Sequence, residues 1–370
     1  MQNRPLPLEP PRAIVAGADS TMLRGTASVW PRDGGTDPSR ARDIADARRL
    51  MANDRAASSR DKYERSWAAF VNFVAEREPA HAALPAHPAV VGLYVGSLRA
   101  RGLAKRTILV HLAAIAYGHE LAGAPAPWTL SVDLKREIRG LRRDDESARA
   151  PGKAIERERA AEILATLGSP TSPIDTRDYA IFCLGWLSAM RRANLAALRV
   201  VDIAFRRDPL DGRRYLDIVV RRSKTDQEGR GRRIAIPELI GAHPLCAVRA
   251  IERWLAVAVL EGVPLVDAPE APLFPSFSLS RSAEQRKLTG HQLAGEDVRR
   301  VIKRLLVRAG VDATSNSPHS LRRGFATTMQ DHGVPDALAM EMGGWKNKAT
   351  YNAYNRVDKT RKNAVRSLFG

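Results

Sequence analysis

The chain of 370 residues carries Lys+Arg 59 against Asp+Glu 41, a formal net charge of +18, and is 44% hydrophobic. The apolar share supplies a sizeable core and excludes a globally disordered chain, while the basic excess points to a polyanion, most simply nucleic acid. Two cysteines, Cys183 and Cys246, without a Cys-x-x-Cys or His-Glu-x-x-His pattern, speak against a zinc site. No apolar run is long enough to span a bilayer, and the start of the chain lacks the apolar stretch of a secretory signal.

Residues 1–55 are rich in Pro, Gly, Arg, Asp and Ala and read as a flexible extension, with room for a short helix over Asp43 to Met51. From Ser58 the pattern turns helical: Tyr63, Trp67, Phe70, Val71 and Val74 recur at helical spacing. After Pro85 and Pro88, a second helix passes through Val91, Leu93, Tyr94, Val95 and Leu98 and stops at Gly102. A third starts near Thr107, and a fourth covers Leu134 to Leu141. The result is a helical domain over 56–145 whose aromatic residues read as core rather than as base-stacking groups. Singly, its flanking cations read as solvated surface. Taken together, Lys105, Arg106, Arg139, Arg142 and Arg143, with Thr107 at the helix start, read as DNA phosphate contacts.

Residues 146–155, with Pro151-Gly152, read as a linker, and 156–370 as a second domain. Helices are predicted from Glu156, over Asp175–Ala189, over Pro244–Leu260 and over Glu296–Ala309. Two apolar β runs, Tyr215–Val220 and Arg233–Ile236, flank a hairpin tip that carries Lys224. The fold class is therefore mainly α with a small β-sheet.

The chemistry concentrates near the C-terminus. His319 and Arg322, at i and i+3, share one face of a predicted helix and can bind phosphate together. A phenol is a weak nucleophile, ionising near ~10. It becomes useful when a phosphate is fixed in line and cations favour the phenoxide. Guanidinium groups stabilise the charge that gathers on the non-bridging oxygens, and a lysine can protonate the leaving alkoxide. Arg191, Lys224, His319, Arg322, Trp345 and Tyr354 supply every part of that kit without a metal or nucleotide. Arg192, Arg323 and Tyr351 are neighbours that compete for these roles, Lys153 and Lys346 are rivals of Lys224, and His111, His119 and His291 read as structural or surface groups.

Arg191, the hairpin Lys224, His319-Ser320-Leu321-Arg322, Gly344-Trp345 and Tyr354, with nine positions from Trp345 to Tyr354, resemble the tyrosine recombinase (phage integrase) family. Tryptophan at 345 is similar to its Cre-like branch, and the resemblance spans residues 58–370. It implies a helical core-binding domain plus a mixed α/β tyrosine-recombinase catalytic domain, and site-specific cleavage and rejoining of duplex DNA without a cofactor. In that scheme Tyr354 is the nucleophile that forms a 3′-phosphotyrosine. Arg191 and Arg322 hold the phosphate, His319 assists proton transfer, Trp345 donates its indole N–H and Lys224 protonates the leaving 5′ oxygen. The resemblance further implies a homotetramer on two DNA sites, formed from free monomers, with the C-terminal tail docking on a neighbouring protomer. The expected setting is cytoplasmic, bacterial or phage- or plasmid-borne, and associated with the nucleoid. One departure is Asn194, which stands where the family commonly has an acidic residue. The same residues also fit a type IB-like topoisomerase or a catalytically idle DNA-binding protein.

Overall fold

The computed structural model describes residues 57–144, 152–221, 231–262, 268–278 and 287–355. The extension at 1–55, linker residues 146–151, the hairpin tip with Lys224 and the tail beyond Asn355 lie outside the described residues. The chain divides into two compact units, Met1–Ala150 and Pro151–Gly370, and each has its own apolar core.

The first unit contains α1 (Ala57–Arg77), α2 (Pro88–Ala100), α3 (Lys105–Leu121) and α4 (Val132–Arg143). Helix starts follow local chemistry. Pro88 opens α2 with its fixed φ, and the Ser131 hydroxyl accepts from the Leu134 N–H, 3.2 Å, to cap α4. Trp67, Phe70, Tyr94 and Tyr117 are packed in the core with Ile108, Ile115 and Leu134. His119 is buried: its Nε2 accepts from the Ala86 N–H (2.9 Å) and its Nδ1 faces the Ile115 carbonyl (2.8 Å), which fixes a neutral tautomer and a structural role. Helix α3 begins two residues earlier than the apolar pattern indicates. Thr107 lies inside the first turn, where its N–H bonds back to the Ala104 carbonyl.

The second unit holds α5 (Arg157–Leu167), α6 (Pro173–Leu187), α7 (Arg192–Ala197), an antiparallel sheet in the order β1 (Ile203–Arg207), β2 (Arg214–Val220), β3 (Arg232–Pro237), then α8 (Ala247–Leu260). A two-stranded sheet of β4 (Pro275–Phe277) and β5 (Leu288–Gln292) follows, then α9 (Gly295–Arg308), α10 (Pro318–Asp331), α11 (Asp336–Gly343), α12 (Lys348–Asn352) and a 3₁₀ turn over Ala353–Asn355. The architecture is mainly α with small sheets. Strands β1, β4 and β5 are additions to the two apolar runs predicted. In the main sheet Leu216 faces Ile236 and Ile218 faces both Ile203 and Ile234, so one face is apolar. Asp217 is held between Arg206 and Arg233 of the flanking strands. Its hydrogen bond to Arg233 is the largest cause that keeps its carboxyl below the usual range, followed by the bond to Arg206.

Residues 152–155, read from sequence as the end of the linker, are docked on the second unit. The Lys153 and Ile155 N–H groups bond to the Ser315 and Ser320 carbonyls, and Ile155 is buried. The Trp186 indole of α6 donates to the Ile155 carbonyl at 2.7 Å. A Cβ on Gly324 of α10 would lie 1.7 Å from that same carbonyl oxygen, so only glycine lets α10 approach here. Trp186 also meets Phe325 edge-on, with centroids 5.9 Å apart. Together these contacts clamp α10, the helix that carries His319 and Arg322.

Candidate active site

Helix α10 starts sharply. The Ser317 hydroxyl accepts from the His319 N–H (3.3 Å), the Ser320 hydroxyl accepts from the Ser317 N–H (3.1 Å), and Pro318 occupies the first helical turn. This start sets His319 and Arg322 one turn apart. The Arg322 guanidinium is buried: Nη1 donates to the Gly343 carbonyl at 2.6 Å and to the Ala189 carbonyl. Its Cζ lies 3.8 Å from the centroid of the Trp345 ring. Ala189 has φ of +48°, a left-handed conformation that costs a non-glycine residue about 1 kcal/mol or more. That conformation ends α6 two residues before the predicted Ala189 and presents the carbonyl to Arg322.

Trp345 follows a glycine pair that makes room for it. A Cβ on Gly343 would lie 1.8 Å from the indole, and Gly344 takes φ of +65° to end α11. Asn347 then caps α12 by accepting from the Ala349 N–H at 2.7 Å. Beyond it the 3₁₀ turn delivers Tyr354, whose ring lies 5.2 Å from His319 and 5.5 Å from Trp345, centroid to centroid. The Tyr354 phenol also lies beside the Arg322 guanidinium.

Arg191 is half-buried and sits one residue before α7 in extended backbone, not in a helical turn. Its charge is felt at His319, Arg322 and Arg232, so the four groups face a common region. Each neighbouring rival has a partner of its own, although Arg323 also lies 5.9 Å from the Tyr354 ring centroid and its charge is felt at His319. Arg192 pairs with Glu296 at 2.8 Å, and Arg323 donates to the Gly152 carbonyl at 2.7 Å. Tyr351 is fully buried against Trp345, with centroids 5.1 Å apart. The structure thus gathers Arg191, His319, Arg322, Trp345 and Tyr354. Lys224 falls outside the described residues, and Asn194 lies in the first turn of α7, its N–H on the Arg191 carbonyl.

Arg232, which sequence reading passed over, joins this group. Desolvation, then the charge of Arg191, pushes its guanidinium down to about 10, and Arg322 is likewise pushed down to about 10, first by burial. Among the described residues, Arg322 Nη2 and Trp345 Nε1 are buried donors without an acceptor. Concentrated positive charge with unmet donors suits an anion bearing several oxygens, which is what a phosphate offers.

His319 keeps much of its surface open, yet its imidazole is pushed down to about 4, first by desolvation in the cleft and then by Arg322, Arg323 and Arg191. In the unfolded chain it titrates near 6.5. Between those values the unfolded state binds the extra proton, so this group erodes stability as pH falls from about 6.5 towards about 4 and leaves it unaffected above. His319→Gln is therefore expected to lose less stability than the wild type when urea midpoints at about pH 7 and about pH 5 are compared.

Of the five cations of the first unit expected at DNA phosphates, four are open to solvent and Lys105 is held by backbone carbonyls. Arg106, Arg139, Arg142 and Arg143 are exposed, as is Thr107. Lys105 is engaged within the unit, where Nζ donates to the Arg142 and Asp144 carbonyls at 3.0 and 2.8 Å and so caps the end of α4.

Residues 153–361, more than half of the chain, match the phage integrase family. An integrase/recombinase xerD homolog from Selenomonas ruminantium is 28% identical over 296 residues, 80% of either chain. The recombinase cre of Escherichia phage P1 is 29% identical over 311 residues, covering 80% of this chain and 84% of that one. Among solved structures, the XerH site-specific recombinase bound to a palindromic difH substrate in a post-cleavage complex has the same fold. Its TM-score is 0.59 at 16% identity, over 90% of this chain and 84% of that one.

Proposed function

The chain belongs to the phage integrase family, and from that premise we propose that it is a tyrosine site-specific recombinase that works by the following steps. The Tyr354 hydroxyl attacks a DNA phosphorus, the bond to the 5′ oxygen breaks, and a 3′-phosphotyrosine and a free 5′-hydroxyl result. Arg191 and Arg322 bind the non-bridging oxygens and stabilise their growing charge. The Trp345 indole N–H and His319 add donors or move the proton. Lys224 protonates the leaving oxygen. The phosphotyrosine conserves the energy of the broken ester, so a 5′-hydroxyl from another strand reverses the step and joins new ends. Four protomers on two sites perform the exchange, and the exposed Arg106, Arg139, Arg142 and Arg143 contact flanking phosphates.

The observation that carries this reading is the convergence of Arg191, His319, Arg322 and Trp345 on Tyr354. The test begins by footprinting the protein on DNA flanking its own gene to find its site. A plasmid bearing two copies of the site is expected to yield recombinant products. Relaxation of a one-site plasmid without recombination would assign a topoisomerase instead.

The Lys224 assignment has its own test. Lys224→Ala is expected to slow cleavage of the natural ester and to recover on DNA whose bridging 5′ oxygen is replaced by sulfur, because a thiolate leaves without a proton. Single-turnover cleavage on both substrates checks this, and equal slowing would remove the general-acid role.

A further inference from the structure

We infer, building on the strand-transfer reading above, that Arg232 is a positioning residue that holds the turn bearing Trp345 and thereby aligns the phosphate-binding donors. Arg232 is the first residue of β3, directly after the segment that contains Lys224. Its Nη1 donates to the Glu341 carbonyl at 3.0 Å and to the Met342 carbonyl. The next carbonyl, that of Gly343, accepts from Arg322 at 2.6 Å. Three consecutive carbonyls at the end of α11 are therefore held by two guanidinium groups, one from the sheet and one from α10. Late-turn carbonyls have no intrahelical donor, and cations at a helix C-terminus are favourable, so the attachment has a clear physical basis.

The turn is tight on both sides. A Cβ on Gly344 would lie 2.9 Å from Arg232 Nε, and a Cβ on Gly343 would lie 1.8 Å from the indole. The Trp345 N–H closes the turn onto the Met340 carbonyl at 2.9 Å. Any shift of this turn moves the indole N–H and the carbonyl that orients Arg322 together. Arg232 commits its Nη1 to the backbone of the turn, and the double-substitution cycle with Trp345 separates that role from direct contact with the phosphate. The arrangement also places three guanidinium groups near one another, an unfavourable crowding that an anion in the cleft would relieve.

The experiment uses the full chain and a duplex carrying the footprinted site, nicked so that the cleaved fragment is lost and the covalent adduct accumulates. Arg232→Met is expected to cleave about a hundredfold more slowly at saturating DNA, since a displacement of about an ångström costs that much, while its affinity for the site changes little. Arg232→Lys, which can still donate to a carbonyl, is expected to fall between it and the wild type. In a Trp345→Phe background the same Arg232→Met change is expected to cost far less, because both act through one turn. Losses that simply multiply, a wild-type rate for Arg232→Met, or a defect confined to DNA affinity would each overturn the inference. Should Arg232→Met fail to fold, the cycle is run with Arg232→Lys. A wild-type protein that forms no adduct overturns the strand-transfer reading and this inference with it, whereas a wild-type adduct with an indifferent Arg232 overturns the inference alone.

Discussion

Tyr354→Phe is expected to abolish the covalent protein–DNA adduct while leaving DNA binding unchanged. The substitution removes one oxygen atom and keeps the ring that packs on His319 and Trp345. The phosphate would still be gripped, but no nucleophile would face it. Tyr351→Phe is the matched control and is expected to keep the adduct. The Tyr351 hydroxyl is fully buried, and burial, then the nearby Asp336 charge, pushes it up to about 12, which makes its phenoxide scarcer than that of an ordinary tyrosine. Denaturing gels of both variants with labelled site DNA provide the check. An adduct that persists in Tyr354→Phe and vanishes in Tyr351→Phe would reverse the assignment.

The second large effect is expected at Arg322. Arg322→Lys retains the charge but loses the planar guanidinium whose Nη1 bonds two carbonyls and whose face stacks on the indole. Loss of one preorganised donor slows this kind of chemistry by about 10²–10³-fold, and a larger loss is expected here because the Trp345 ring loses its partner as well. Stability should also fall. Each of the buried Ala189 and Gly343 carbonyls that the lysine ammonium fails to reach is left unmet, at about 1–3 kcal/mol. Thermal melting and single-turnover cleavage measure the two effects separately. A variant that melts and cleaves like the wild type would contradict the placement of Arg322 at the phosphate.

Much of this site is legible in the sequence because its parts sit on short, strongly signalled elements. Ser317-Pro318 announces the start of α10, so the spacing of His319 and Arg322 follows directly. The run from Trp345 to Tyr354 is local, and its spacing survives a change from helix to 3₁₀ turn. What stayed hidden depends on tertiary contacts. Arg232 reads as one more solvated cation beside Arg230 and Arg233, and only the approach of α11 gives it a task. Ala189 carries no sign of its left-handed backbone, because alanine ordinarily marks helix. Strand β1 escaped because Ile203–Arg207 ends in two exposed arginines and is recognisable as a strand only through its pairing with β2. Lys105 looked free for phosphate, yet its ammonium closes α4, an arrangement set by residues far along the chain.

The position of Tyr354 also shows how burial divides two tyrosines three residues apart. Packing against the indole removes Tyr351 from solvent, while the final turn leaves Tyr354 half-buried beside two donors and a guanidinium. On the proposed mechanism the nucleophile is selected by its surroundings, since the side chains are identical.

The most direct test is to trap the adduct on nicked site DNA, digest it with protease and nuclease, and locate the nucleotide-bearing residue by mass spectrometry. The account predicts a 3′-linked nucleotide on the Tyr354 hydroxyl with a free 5′-hydroxyl on the departing strand. A nucleotide on Tyr351 or any other side chain, or a 5′-linked phosphate, would contradict it.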